Sequence, residues 1–257
     1  MSQNNTNPVL GTRINVDDVS KEYSLQNNDS LEVLADISFT IEAQGFTCLL
    51  GPSGCGKSTL MNLIAGLDSP TSGSIRLENE KDDATVAFVF QEPRLLDWRT
   101  VRENLKFGLR AMGVSKDEWE SRIDTYLSLV GLLDFADDYP QSLSGGMKQR
   151  VALARAMAVE SDVILMDEPF SSLDEITARE LRRDLVEIWE TEDKTILFVT
   201  HDPLEAAYLS EQIVVLSQRP ASVVGDYAID IPRPREIDDR ELAKISKRCI
   251  DDLRDHI

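Results

Sequence analysis

Long apolar runs are missing from this sequence: none approaches the ~20 residues that a bilayer crossing needs. Cysteine is scarce as well. Cys48, Cys55 and Cys249 stand at spacings that make neither a disulfide framework nor a metal site. Cys48 falls in an apolar run and Cys55 in a glycine-rich loop, so both read as inert reduced thiols. Basic residues are few, 27 against 46 acidic ones, for a net charge of −19. That shortage excludes nucleic acid as a partner, because phosphate backbones require a basic surface. The first residues, MSQNNTNP, are polar and uncharged and do not form a secretory signal, so a cytoplasmic location is expected. The acidic residues are spread along the chain, which makes a solvated surface and not a tail. An ordinary acidic protein and one from a high-salt cytoplasm both fit; arginine outnumbering lysine 18 to 9 suits the second.

What is present is ordinary for a globular chain, with 42% hydrophobic and 28% charged residues in 257, enough for one large core. Within it, GPSGCGKST at 51–59 fits G-x-x-x-x-G-K-[ST] through Gly51, Gly56, Lys57 and Ser58. FTCLL (46–50) reads as a buried strand before it and TLMNLIAGL (59–67) as a helix after it. Glycines let backbone N–H groups turn inward around a triphosphate, and the helix start adds positive potential. Lys57 then reaches the outer phosphates and the Ser58 hydroxyl takes a place on Mg²⁺. A nucleoside triphosphate is the expected ligand.

Taken in order, residues 13–42 alternate as strands through Ile14 and Val16, then Ile37, Phe39 and Ile41, with the polar run 26–30 as a turn. An antiparallel sheet ahead of the nucleotide core is expected. Tyr23 by itself reads as a half-buried strand residue. A turn cluster and a strand through Ile75 and Leu77 follow, then the solvated turn KDD (81–83). TVAFVFQ (85–91) is an apolar strand that ends on Gln91, whose amide can serve a metal or an attacking water. Residues 93–140 turn mainly helical; Trp119, Ile123, Leu127 and Val130 form a core stripe, and Gly131 sits at a C-cap. At 141–160, Ser144 is a good N-cap, and Gly145 and Gly146 leave N–H groups bare, a second possible anion site. VILMDEP (163–169) delivers Asp167 and Glu168 at the C-terminal end of a buried strand, the edge where ligands bind in open α/β sheets. Asp167 can hold Mg²⁺ through water and Glu168 can orient an attacking water. SSLD (171–174) leads into a helix over 175–190, with an apolar stripe of Ile176, Leu181, Leu185 and Ile188. TILFVT (195–200) is a buried strand with His201 at its tip, and Asp202, Pro203 and Glu205 read as N-cap, N1 and N3. IVVLS (213–217) is the last clear core strand. An acidic tail follows, with IPRPR (231–235) and a polar terminal helix; His256 carries no signal.

Together these residues resemble a known family, the ATP-binding subunits of ABC transporters. LSGGMKQR (143–150) is similar to the signature that sets this family apart from other P-loop ATPases, and the remaining motifs occur in the family's order over nearly the whole chain. The resemblance implies an α/β fold: a P-loop (RecA-like) core with an antiparallel β subdomain and an inserted α-helical subdomain. One domain would cover 12–235, as β subdomain and core entry (12–50), P-loop core (51–92), helical subdomain with signature (93–158) and continued core (159–218). Residues 219–257 form a tail. The resemblance further implies ATP and Mg²⁺ as cofactors. Gly51, Pro52, Ser53, Gly54, Cys55, Gly56, Lys57, Ser58 and Thr59 would enclose phosphate, with Ser58, Gln91 and Asp167 on the metal. Glu168 matches the catalytic base, His201 the switch histidine, Gln91 the Q-loop residue, Asp174 the D-loop and Tyr23 the aromatic that stacks on adenine. Ser144, Gly145 and Gly146 would reach the ATP of an opposite subunit.

One chain thus carries a phosphate loop and a signature helix that cannot cover the same ATP. A head-to-tail dimer, homodimeric or pseudo-symmetric, is expected, closing on ATP and opening after hydrolysis. Its motion would act on integral-membrane permease subunits at the cytoplasmic face, served indirectly by an extracytoplasmic solute-binding protein. LLDWRTVREN (95–104), Met147, PFSSLDEITARELRRDL, SQRPASVV and IPRPR resemble the nitrate, sulfonate and taurine importer group, which commonly has Pro where Asp97 stands. Trp98 fits either an anchor for the permease or a residue packed within the subdomain. Competing functions are a permease-independent ABC ATPase, opposed by the single cassette and the charge, and an ATP-gated binding module without hydrolysis, opposed by Glu168 and His201.

Overall fold

The computed structural model describes residues 11–25, 29–79, 84–192 and 194–256. The expected turn at 26–30 lies partly outside the described residues, and the KDD turn and the N-terminal stretch lie wholly outside them. The chain divides into two compact units, residues 1–84 with 193–257, and residues 85–192. The first unit begins with β1 (Arg13–Ser24), β2 (Ser30–Ile41), β3 (Phe46–Leu50), α1 (Lys57–Ile64) and β4 (Ser72–Glu78). The second holds β5 (Val86–Val89), α2 (Val101–Ala111), α3 (Lys116–Leu129), α4 (Gly145–Met157), β6 (Val163–Asp167) and α5 (Glu175–Thr191). The first resumes with β7 (Thr195–Thr200), α6 (Pro203–Leu209), β8 (Gln212–Leu216), β9 (Val223–Ala228) and α7 (Arg240–Asp255). No helix among the described residues is long and apolar enough to cross a membrane.

In the first unit, β1 lies between β2 and β4 in an antiparallel sheet. Val16 and Val19 are both buried although three positions apart, a spacing that would put them on opposite faces of a regular strand. A register shift between them, with Asp18 at φ +48°, brings both inward as a bulge does. β3 pairs in parallel with β7 and β8, and all five of its residues are buried, as a continuous apolar run requires when both faces are covered. Leu50 is the partner of Thr200. The phosphate loop and His201 therefore leave neighbouring strands at the same level. β9, unread in the sequence, pairs antiparallel with β8, and α7 buries Leu242, Ser246 and Cys249.

In the second unit, β5 and β6 are parallel, with Val89 opposite Met166. Gln91 and Glu168 thus follow two adjacent strands at one level. β5 is shorter than expected and ends before Gln91, which lies in a bend. The helical part buries Val101, Leu105 and Leu109 of α2 with Ile123, Tyr126 and Leu127 of α3. The Trp119 indole N–H donates to the Val114 carbonyl at 2.9 Å, and Gly131 takes φ +66° just past the end of α3. One member of the expected stripe on α5 is misplaced. Ile176 is 76% exposed, while Ala178, Leu181 and Leu185 are buried. Five positions separate Ile176 from Leu181, which at 3.6 residues per turn puts them roughly 140° apart around the helix.

Candidate active site

The loop at 51–56 connects the C-terminal end of β3 to α1. Gly54 has φ +76° and Gly56 φ +126°, a region that L side chains rarely adopt. A Cβ on Gly56 would stand 2.9 Å from both Leu34 and Val33, so glycine is required there for packing on β2 as well as for the turn. The Lys57 ammonium, only 6% exposed, donates to the carbonyls of Gly51 at 2.8 Å and Pro52 at 2.9 Å. Its charge is thereby held inside the curl of the loop. No side chain caps the start of α1, and Ser58 is exposed there. Open N–H groups, an enclosed lysine and a hydroxyl at one helix start fit the phosphates of a nucleotide. Cys55 is buried, which pushes its thiol pKa up and makes it unreactive.

Tyr23 is 38% exposed on β1. Its hydroxyl donates to Asp68 at 2.9 Å, and the Lys21 ammonium sits 4.7 Å from its ring centroid. Lys21 also donates to Asp68 at 2.8 Å and to the Ser69 carbonyl at 2.7 Å. The bond from Lys21, with those from the Ser69 amide and Tyr23, holds the Asp68 carboxyl down at about 2. An aromatic ring held at its hydroxyl and partly exposed can offer a face for stacking on a base. Lys21 and Asp68 could not be paired from the sequence because they lie 47 positions apart.

His201 is exposed in the bend after β7. Asp202 caps α6 through bonds from the amides of Leu204 (2.8 Å) and Glu205 (3.4 Å). The reciprocal half of a capping box does not form. Thr200 instead donates its hydroxyl to the Glu205 carboxylate and accepts from the Asp202 amide at 3.0 Å.

In the second unit, Asp167 is 7% exposed at the end of β6 and Glu168 is half-buried beyond it. Glu168 takes φ +44°, a conformation that costs about 1–3 kcal/mol in a non-glycine residue. The Ser171 amide and hydroxyl, at 3.2 and 2.9 Å from the Glu168 carbonyl, close the turn. Gln91 extends its amide nitrogen toward the Glu168 carboxylate at 3.5 Å. The buried Gln149 of α4 donates to the Phe90 carbonyl at 3.3 Å and steadies the residue before Gln91. Asp167 and Glu168 stand at the end of β6 and Gln91 follows the adjacent β5, and side-chain oxygens of these kinds suit Mg²⁺ and water.

Ser144 caps α4 by accepting from the Met147 amide at 3.3 Å. The two glycines after it differ. A Cβ on Gly146 would meet Leu173 at 3.2 Å and the Ser172 carbonyl at 3.5 Å, whereas one on Gly145 would meet nothing within 4 Å. Asp174 caps α5 by accepting from the Thr177 amide at 3.0 Å, and that bond lowers its pKa. Trp98 is 73% exposed in a turn closed by the Arg99 amide on the Leu96 carbonyl at 3.0 Å, so the turn forms with Asp97 in it. The side chain of Asn104, fully buried, bonds the Leu96 amide (2.8 Å) and the carbonyls of Leu96 (3.2 Å), Arg99 (3.3 Å) and Thr100 (2.9 Å).

A protein-family model described as "ABC transporter" matches residues 34–171. An uncharacterised ABC transporter ATP-binding protein of Methanocaldococcus jannaschii is 40% identical over 251 residues, covering 96% of this chain and 94% of its own. The nitrate import ATP-binding protein NrtD of Synechocystis is 42% identical over 221 residues, 85% of this chain and 83% of its own. Others at about this level are named as taurine and aliphatic sulfonate import ATP-binding proteins. Among solved structures, a dimeric ATP-binding cassette in a post-hydrolysis state with ADP and phosphate is 31% identical. It has a TM-score of 0.75 and covers 85% of this chain and 100% of its own.

Proposed function

The chain belongs to the ABC transporter family, as one of its ATPases, and from that premise we propose that it powers the import of a small oxyanion by closing head to tail on ATP. The observation that carries the split site is Gly145, an exposed glycine at a helix start where a side chain would touch nothing within 4 Å. Packing within the chain gives no reason for glycine there; close approach of a partner's nucleotide does. Lys57 and the backbone N–H groups of 53–59 bind the phosphates, Tyr23 stacks on the adenine, and Ser144 with Gly145 and Gly146 completes the partner's site. Ser58, Asp167 and Gln91 would hold Mg²⁺, which would supply positive charge to the phosphates. Glu168 orients the attacking water, held by its own turn and by Gln91, and His201 contacts the γ-phosphate. Trp98, exposed in a turn held together by Asn104, meets the membrane-embedded permease, which places the subunit on the cytoplasmic face.

The oxyanion reading is supported by relatives named for nitrate, taurine and sulfonate import. Solute uptake in the source organism, wild type against Glu168→Gln, tests it with nitrate, taurine, alkanesulfonates, a sugar and an amino acid. Loss confined to one oxyanion supports the proposal and names the cargo. Uptake unchanged across the panel sinks the oxyanion assignment.

A further inference from the structure

The IPRPR stretch has no part in the reading above, yet its last arginine is one of the most heavily bonded side chains in the first unit. Arg235 is 6% exposed. Its Nη1 donates to the carbonyls of Ala207 (3.0 Å), Tyr208 (3.3 Å) and Ser210 (2.6 Å). Its Nε and Nη2 donate to those of Ile231 (3.0 Å) and Ile229 (3.3 Å). Arg233 donates to the Leu209 carbonyl. Together the two side chains occupy the four successive carbonyls at 207–210, the groups that a helix end leaves without intrahelical partners. They also put positive charge at the negative end of α6.

α6 has seven residues, far below the ~12–15 at which a helix becomes even marginally stable alone. Its position is therefore set by the packing of its buried Ala206, Ala207 and Leu209 together with what grips its ends. At the far end the grip is Arg235 with Arg233. At the near end Glu205 accepts the Thr200 hydroxyl, the Thr200 oxygen accepts from the Asp202 amide, and the Asp202 carboxylate caps the helix. His201 lies between Thr200 and Asp202, so the residues on both sides of it are bonded into α6. We propose that Arg235, assisted by Arg233, is a positioning residue for His201: it fixes α6, and the Thr200–Glu205–Asp202 bonds carry that fixity to the histidine. The inference rests on the reading of His201 as the γ-phosphate contact. A lysine at 235 would keep the charge but not the planar fork that reaches carbonyls in two directions.

The test is a double-mutant cycle on ATP hydrolysis by the full-length chain, using Arg235→Lys, His201→Ala and the pair, with single-turnover measurement where rates are low. Arg235→Lys is expected to lower kcat roughly 10- to 100-fold, the penalty of misplacing a reacting contact from a distance. The KM for ATP should stay within about twofold, and the loss should disappear in the His201→Ala background. Equal fold-losses in both backgrounds, or an unchanged kcat, would overturn the proposal. If Arg235→Lys does not yield folded protein, Thr200→Val decides by the same cycle, since it keeps the shape and removes the hydroxyl between Glu205 and Asp202. A loss that depends on His201 supports the relay; an independent loss, or none, sinks it. Should His201→Ala alone hydrolyse ATP at the wild-type rate, the role of His201 itself falls, an outcome distinct from additive losses, which remove only the positioning role.

Discussion

The Gln91 amide nitrogen stands 3.5 Å from the Glu168 carboxylate, two side chains that leave adjacent parallel strands at the same level. The contact is long for a hydrogen bond and aims the Gln91 amide at that carboxylate. Strain in the Glu168 backbone, at φ +44°, goes with that aim.

Glu168→Gln should lower kcat by about 10²–10⁴-fold, the range for losing a positioned base, while ATP binding persists. The variant should then elute as a dimer in ATP and a monomer in ADP on size exclusion in high salt. Monomer in both nucleotides would exclude the shared-site mechanism.

Tyr23 separates stacking from hydrogen bonding. Tyr23→Ala should weaken ATP binding by roughly 5- to 150-fold, the equivalent of ~1–3 kcal/mol for one base on one ring. Tyr23→Phe loses the hydroxyl's bonds to Asp68 and Thr59 and should stay within about threefold of wild type, because the ring is kept. Titration with a fluorescent ATP analogue measures both; equal losses would assign the affinity to the hydroxyl.

Asp68 gives a pH dependence with a defined sign. Its folded pKa, about 2, is below its unfolded value of about 3.9. Its contribution to stability is therefore complete above that unfolded value and is lost as pH falls toward the folded one. Urea midpoints of wild type and Asp68→Asn should differ most above pH 4 and converge toward pH 2. A gap that stays constant through this window would show that the carboxylate charge is not what Lys21 and Tyr23 hold.

The two signature glycines should part company. Gly145→Ala meets open space and should leave thermal stability unchanged or raise it by up to ~1 kcal/mol, as alanine does in helices. ATPase activity should nonetheless fall more than about tenfold, since the alanine methyl would intrude on the partner's nucleotide. Gly146→Ala presses on Leu173 and should destabilise the chain modestly. Full activity in Gly145→Ala, measured at a protein concentration that supports dimers, would count against the split site.

What could be read from the chain alone was whatever is written locally. The strand, loop and helix around Gly51 to Lys57 follow from glycine, from apolar runs and from one lysine, all within a short window. The same holds for VILMDEP and for the caps at Ser144 and Asp202. Ile176 was misread because five-residue spacing passes for a stripe until the helix is built. β9 was missed because Gly225 interrupts it and its burial does not alternate cleanly. Arg235 and Asn104 could not have been assigned partners from sequence, since they bond mainly to backbone carbonyls, which every residue possesses. The nearest of the α6 carbonyls to Arg235 is 25 positions away.

Asn104 has a mechanical consequence. With its buried amide bonded to residues 96, 99 and 100, the turn that displays Trp98 is stitched to the first turn of α2 and has little slack of its own. A force delivered to the indole is then not absorbed by bending the turn. It is passed on to the start of α2, much as a load on the tip of a rigid bracket is carried by the beam to which it is bolted.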